Sequence, residues 1–119
     1  MTKFSYNMLK LVVIGQGSQI IELTRKMFSL GVTPNNLKVV TVSGDFNISC
    51  LEFLSYYNID CDICDKTDFK TKAYSTISNF GPDIVISFSN PFLIREEILN
   101  LKTKFINFHP GILPDYKGS

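Results

Sequence analysis

The sequence lacks any excess of charge of one sign: 12 Lys and Arg against 11 Asp and Glu leave a formal net charge of +1. No run of six like charges and no basic stripe interrupts it, which removes the field that steers proteins non-specifically to nucleic acid or an acidic membrane. Long apolar runs are also missing. The longest, Leu11 to Ile14, is far below the roughly 20 residues of a membrane span, and no signal-peptide core is present, so the expected location is cytoplasmic. Histidine occurs once, at position 109, and cysteine three times, at 50, 61 and 64. What remains is ordinary: 45% apolar and 19% charged residues over 119 positions argue for one folded domain, 1–119, with a real core.

The few cysteines weigh against metal chemistry. Cys61 and Cys64 form a CxxC, and Cys50 with His109 would complete four potential zinc ligands. Within Ile59-Asp60-Cys61-Asp62-Ile63-Cys64, however, a strand sends positions i and i+3 to opposite faces. No glycine or turn stands beside the pair as a metal knuckle requires. Small buried hydrophobes are the simpler reading, so no metal is expected.

Short apolar runs alternate with segments of helical spacing. Lys10–Ile14, ended by Gly15-Gln16-Gly17-Ser18, reads as a strand buried on both faces. Ser18 is placed to cap a helix carrying Ile20, Leu23, Met27 and Leu30, which Gly31 stops. LKVVTV (37–42) predicts a second strand, and Ile48, Leu51, Leu54 and Tyr57 a second helix over 47–57. A weaker strand follows near Ile59–Ile63, a polar helix over 67–79, and a strong strand at DIVISF (83–88). Pro91 to Leu99 reads as a short helix opening on proline, and KFINF (104–108) as the last strand. This alternation predicts an α/β fold: a doubly wound, mainly parallel sheet of Rossmann-like topology. In such sheets ligands bind beyond the carboxyl ends of the strands, which singles out the residues after 14, 42, 87 and 108.

Three stretches there can carry chemistry. The amides of Gly15, Gln16, Gly17 and Ser18, at a helix start, could cradle a phosphate or carboxylate; a tight turn without ligand explains them equally well. Ile20 stands where a dinucleotide fingerprint needs its third glycine, which excludes that reading. Ser87, Ser89 and Asn90 offer polar groups and backbone to a flat hydrogen-bonding ring, or simply cap the next helix. In Phe105-Ile106-Asn107-Phe108-His109-Pro110, strand alternation puts Asn107 and His109 on one face at a carboxyl end. Pro110 biases His109 toward extended backbone, and Gly111 and Pro114 then turn the chain.

The run NFHPGILPDYKG, Asn107 to Gly118, resembles a signature of the folate-dependent formyltransferase family, N-x-H-x-S-L-L-P-x-Y followed by Arg or Pro and Gly. Members act on glycinamide ribonucleotide, methionyl-tRNA or nucleotide-linked sugars. The strand-GxGS-helix opening and the DIVI segment agree more loosely. The resemblance implies transfer of a formyl group from formyltetrahydrofolate to a primary amine. It gives Asn107 the role of oxyanion donor and His109 that of a second donor assisting proton movement. The pterin would lie against Ser89, Asn90, Phe92 and Leu93. Gly15, Gln16, Gly17 and Ser18, with Pro110 and Gly111, would hold the amine substrate.

Two departures accompany the match. Gly111 replaces the first residue of the family's SLL. The family's catalytic aspartate lies a few dozen residues beyond the signature, and Asp115 is too close to His109 to replace it. The expectation is therefore the N-terminal part of a formyltransferase catalytic domain, its fold incomplete at the C-terminus and its 119 residues inactive alone, with a homodimer possible for the full-length form. Tyr116-Lys117-Gly118 and the lack of a basic face favour a nucleotide-sugar amine over tRNA, with no nucleic-acid or membrane partner. GQGS resembles the purine-pathway enzymes' phosphate loop instead. A non-catalytic binding module on the same fold is the rival reading.

Overall fold

The computed structural model describes residues 8–88 and 103–108. Five strands, β1 (Leu11–Ile14), β2 (Leu37–Val42), β3 (Asp60–Cys64), β4 (Ile84–Phe88) and β5 (Lys104–Phe108), form one sheet in the order β3-β2-β1-β4-β5. All four pairings are parallel. Helices α1 (Ser18–Ser29), α2 (Ile48–Tyr56) and α3 (Phe69–Phe80) connect the first four. The chain first moves outward from β1 to β2 and β3, then returns to build β4 and β5 on β1's other side. This is the doubly wound, Rossmann-like arrangement, and its strand order reverses between β1 and β4.

Two apolar layers hold it together. One face of the sheet, with Leu11, Val13, Leu37 and Val39, packs on Ile20 of α1 and Cys50, Phe53 and Leu54 of α2. The other, with Val12, Ile14, Val40 and Val85, packs on Phe69, Ala73 and Ile77 of α3. Strand β1 is buried along its whole length because it feeds both layers, which is why its sequence is a continuous apolar run rather than an alternating one. Burying each such side chain contributes about 1.5–3 kcal/mol.

Four details differ from the sequence-based expectation. Ser18 is the first helical residue, exposed, and Gly17 occupies the capping position without a side-chain cap. Gly17 has φ 76° and ψ −161°, outside the usual conformations of L-residues, so the turn selects glycine for its backbone and leaves Ser18 one position too late to cap. Helix α2 buries Cys50, Phe53 and Leu54, whereas Ile48 is 46% and Tyr57 37% exposed. A 3-10 turn, Asp45–Asn47, precedes α2 and shifts the phase of the face that meets the sheet. Strand β3 begins at Asp60, one residue late, and Ile59 is buried ahead of it. Helix α3 spans Phe69–Phe80 and closes on Gly81 in the left-handed conformation.

Cys61 packs against the first apolar cluster and Cys64 lies within the second, so the CxxC is split across the sheet as strand alternation dictates. Among the described residues, no group of three His, Cys, Asp or Glu side chains could hold a metal. No helix among them is long and apolar enough to cross a membrane.

Candidate functional site

At the carboxyl edge of the sheet the register aligns a row of residues: Asp62 opposite Val40, Val40 opposite Ile14, Ile14 opposite Ser87, and Ser87 opposite Asn107. The row runs from apolar on β2 and β1 to polar on β4 and β5, across the point where strand order reverses. Gly15 follows Ile14 directly, so the Gly15–Ser18 turn stands at the same edge, one strand from Ser87 and two from Asn107. The sheet thus brings one part of each of the three sequence-singled stretches, the Gly15–Ser18 turn, Ser87 and the Asn107 backbone, to one edge. Asn107 is described in its backbone pairing; Ser89, Asn90, Phe92, Leu93, His109, Pro110 and Gly111 lie outside the described residues, as does the helix expected from Pro91 to Leu99.

The Gly15–Ser18 turn is held from below. The Gly15 amide donates to the Val40 carbonyl at 3.1 Å, prolonging the β1–β2 ladder. The Gly17 amide donates to Asn47 Oδ1 at 2.7 Å. Asn47 is fully buried, and its Nδ2 donates in turn to Thr41 Oγ1 at 3.0 Å and to the Val42 carbonyl. One carboxamide therefore ties the turn after β1 to the end of β2. The Gly17 amide, committed to this contact, is not free for the anion-cradling role expected of the turn. The amides of Gln16 and Ser18 donate to no acceptor among the described residues.

Asn47 escaped the sequence reading. An asparagine in Ser43-Gly44-Asp45-Phe46-Asn47 looks like ordinary turn chemistry, and only the 3-10 turn swings it inward. The legible signal is its place between a strongly apolar strand and a helix, one step before the helix begins.

None of the three thiols is activated by its surroundings. Burial pushes the Cys50 thiol up to about 11, with neighbouring Cys61 adding to the rise and the Gly17 amide opposing it. Cys64 is also pushed up to about 11, mainly by burial and then by Asp68. Cys61 is raised by burial and by Asp62 and Asp60. All three stay protonated near neutrality, the opposite of an activated nucleophile. A cavity of about 120 Å³ lined by Lys38, Asp60, Cys61 and Asp62 lies on the β2–β3 side. Lys38 and Asp60 pair at 2.5 Å across it, and it stands apart from the β1–β4 reversal where the polar row begins.

Ser87 lies in this row at 3% exposure, and its hydroxyl has no hydrogen-bond partner among the described residues.

No protein-family model matches the chain. It is similar to a methionyl-tRNA formyltransferase of Pelagibacter ubique (strain HTCC1062), with 36% identity over 64 residues. That stretch covers 53% of this chain and 21% of the relative, so the match spans about a fifth of the relative's length. Joined to the five-stranded parallel fold, the similarity supports a formyltransferase family for this chain and leaves the type of formyltransferase unresolved.

Proposed function

We propose that the protein transfers a formyl group from formyltetrahydrofolate to a primary amine, in the crevice at the carboxyl edge of β1, β4 and β5. The observation that carries this reading is the place of Asn107. It stands near the end of β5, inside the signature run, two strands from the Gly15–Ser18 turn. In the reaction the amine nitrogen attacks the formyl carbon, a carbon–nitrogen bond forms, and the carbonyl electron pair moves onto oxygen. Collapse returns that pair and breaks the bond to the folate nitrogen, which takes up a proton while the amine loses one. The Asn107 carboxamide is the donor for the developing oxyanion, and His109 assists the proton transfer.

Removing one oxyanion donor typically raises the barrier by about 2.7–4 kcal/mol. Asn107→Ala in the natural full-length protein is therefore expected to fold normally and lose at least about a hundredfold in kcat. Wild-type turnover in that folded variant overturns the assignment.

For the acceptor, the Tyr116-Lys117-Gly118 ending and the near-neutral charge support an amino group on a nucleotide-linked sugar. The similarity to a methionyl-tRNA formyltransferase supports an aminoacyl-tRNA instead. Incubation with formyltetrahydrofolate and, separately, a nucleotide-linked amino sugar, glycinamide ribonucleotide and methionyl-tRNA decides between them. Formylation of the tRNA alone would put the aminoacyl-tRNA ahead of the sugar, and formylation of the purine precursor alone would replace both.

A further inference from the structure

We propose that Ser87 is a ligand-contacting residue of the crevice, donating a hydrogen bond from its hydroxyl to the carbonyl oxygen of the bound formyl donor. This rests on the formyl-transfer reading and adds a residue to it.

Strand β4 reads IVISF, and its partner at this level on β1 is Ile14. Two residues earlier on the same face, Val85 is fully buried among Val12, Ile14, Phe69, Ala73 and Ile77. A valine at 87 would continue this packing. The sequence instead places a hydroxyl there, 3% exposed and without a hydrogen-bond partner among the described residues. Buried hydroxyls almost always find a partner, because an unmet one forfeits its hydrogen bonds to water.

Position in the sheet says where the partner comes from. Ser87 lies between Ile14 and Asn107 in the row at the carboxyl edge, beside the reversal of strand order where open α/β sheets take their ligands. The other buried, unbonded hydroxyl among the described residues is Thr24 Oγ1. It sits in the second turn of α1, where rotation about χ1 brings such a group to the carbonyl one turn back. Ser87 has no such local recourse, since β4 is laddered on both sides to β1 and β5. A carbonyl oxygen entering the crevice meets the need, and the bond strengthens as that oxygen gains negative charge during attack.

Natural full-length protein, wild type and Ser87→Ala, is compared for formyltetrahydrofolate binding by titration, for kcat/KM toward that donor with the accepted amine, and for melting temperature. The expected result is a fall in kcat/KM of about tenfold to a hundredfold with the melting temperature unchanged or higher, because an unmet hydroxyl is gone. Ser87→Thr, which keeps the hydroxyl, is expected to recover most of the rate. An unchanged kcat/KM in Ser87→Ala overturns the proposal. So does a loss of rate that follows a loss of melting temperature, or a stable Ser87→Thr as slow as Ser87→Ala. Wild-type protein that neither binds the donor nor transfers its formyl group overturns the formyl-transfer reading itself, and Ser87's part with it.

Discussion

Among single residues, Asn47 ties the turn after β1 to the end of β2. Its carboxamide is fully buried and uses both ends, accepting from the Gly17 amide and donating to Thr41 Oγ1 and the Val42 carbonyl. Truncation strands three polar groups at once, two buried and one half-buried. An unmet buried group costs about 1–3 kcal/mol, and partial relaxation brings Asn47→Ala to an expected loss of about 2–4 kcal/mol in urea unfolding. Asn47→Asp keeps the acceptor for Gly17 but sets a carboxylate against the Val42 carbonyl. It is expected to be destabilised too, with its loss smaller at low pH, where the acid can donate. A destabilisation of Asn47→Ala within a few tenths of a kcal/mol would show that the turn does not depend on this contact. The same residue marks the limit of sequence reading at this scale: its type and position are plain, but its direction is set by a turn that nothing local announces.

At the scale of elements, the turn between β3 and α3 shows how a helix entry is fixed by one side chain. Asp65 Oδ1 accepts from the amides of Thr67 and Asp68 and from the Thr67 hydroxyl, and the Asp65 amide donates to Asp68 Oδ1. These bonds favour the ionised carboxylate, the Thr67 hydroxyl most of all, and hold Asp65 below its usual range. A depressed carboxylate contributes stability that is present above its unfolded pKa and lost as pH falls through the folded one. The turn is therefore expected to loosen on acidification below the ordinary aspartate range near 3.8. Asp65→Asn is expected to remove that acid-sensitive step. Amide chemical shifts of Thr67 and Asp68 followed against pH check both, and identical titrations in the two proteins would refute the assignment. Lys72 pairs with Asp68 at 3.1 Å and donates to the Ile63 carbonyl at 2.9 Å, joining α3's first turns to β3. Element types were legible throughout this region, because apolar period and glycine stops are local signals. Their phase was not: α2 presents Cys50 and Phe53 inward rather than Ile48 and Tyr57, a rotation decided by the preceding 3-10 turn.

Across the whole molecule, the two apolar layers bury the thiols unequally and on opposite faces of the sheet. Cys50 lies in the layer under α1 and α2, Cys64 in the layer under α3, and Cys61 is half-buried on the edge strand β3. Burial that raises a thiol means the folded chain keeps its proton where the unfolded chain loses it. Stability is thus expected to be level up to the ordinary thiol value of 9.0 and to fall as pH rises from there toward about 11 for Cys50 and Cys64. Cys50→Ala is expected to flatten part of that fall in urea unfolding followed between about pH 8 and pH 11. Iodoacetamide should modify Cys61 first and the other two only as the molecule opens, and rapid labelling of Cys50 in folded protein would contradict this packing.

The class of fold and the identity of β1, β2, β4 and β5 were legible along the chain. Each of these rests on information carried by neighbouring residues: apolar period, glycine and proline punctuation, and residue types at fixed spacing. Which of those stretches meet was settled only in three dimensions. Folding set the strand order β3-β2-β1-β4-β5 and brought the Gly15–Ser18 turn to the same sheet edge as Ser87 and the Asn107 backbone. It also committed the Gly17 amide to Asn47 and left the Ser87 hydroxyl buried and unbonded. The reason is that strand pairing and burial depend on contacts between residues dozens of positions apart. Such contacts are settled by how two apolar layers close on one sheet, and no local stretch of the chain contains them.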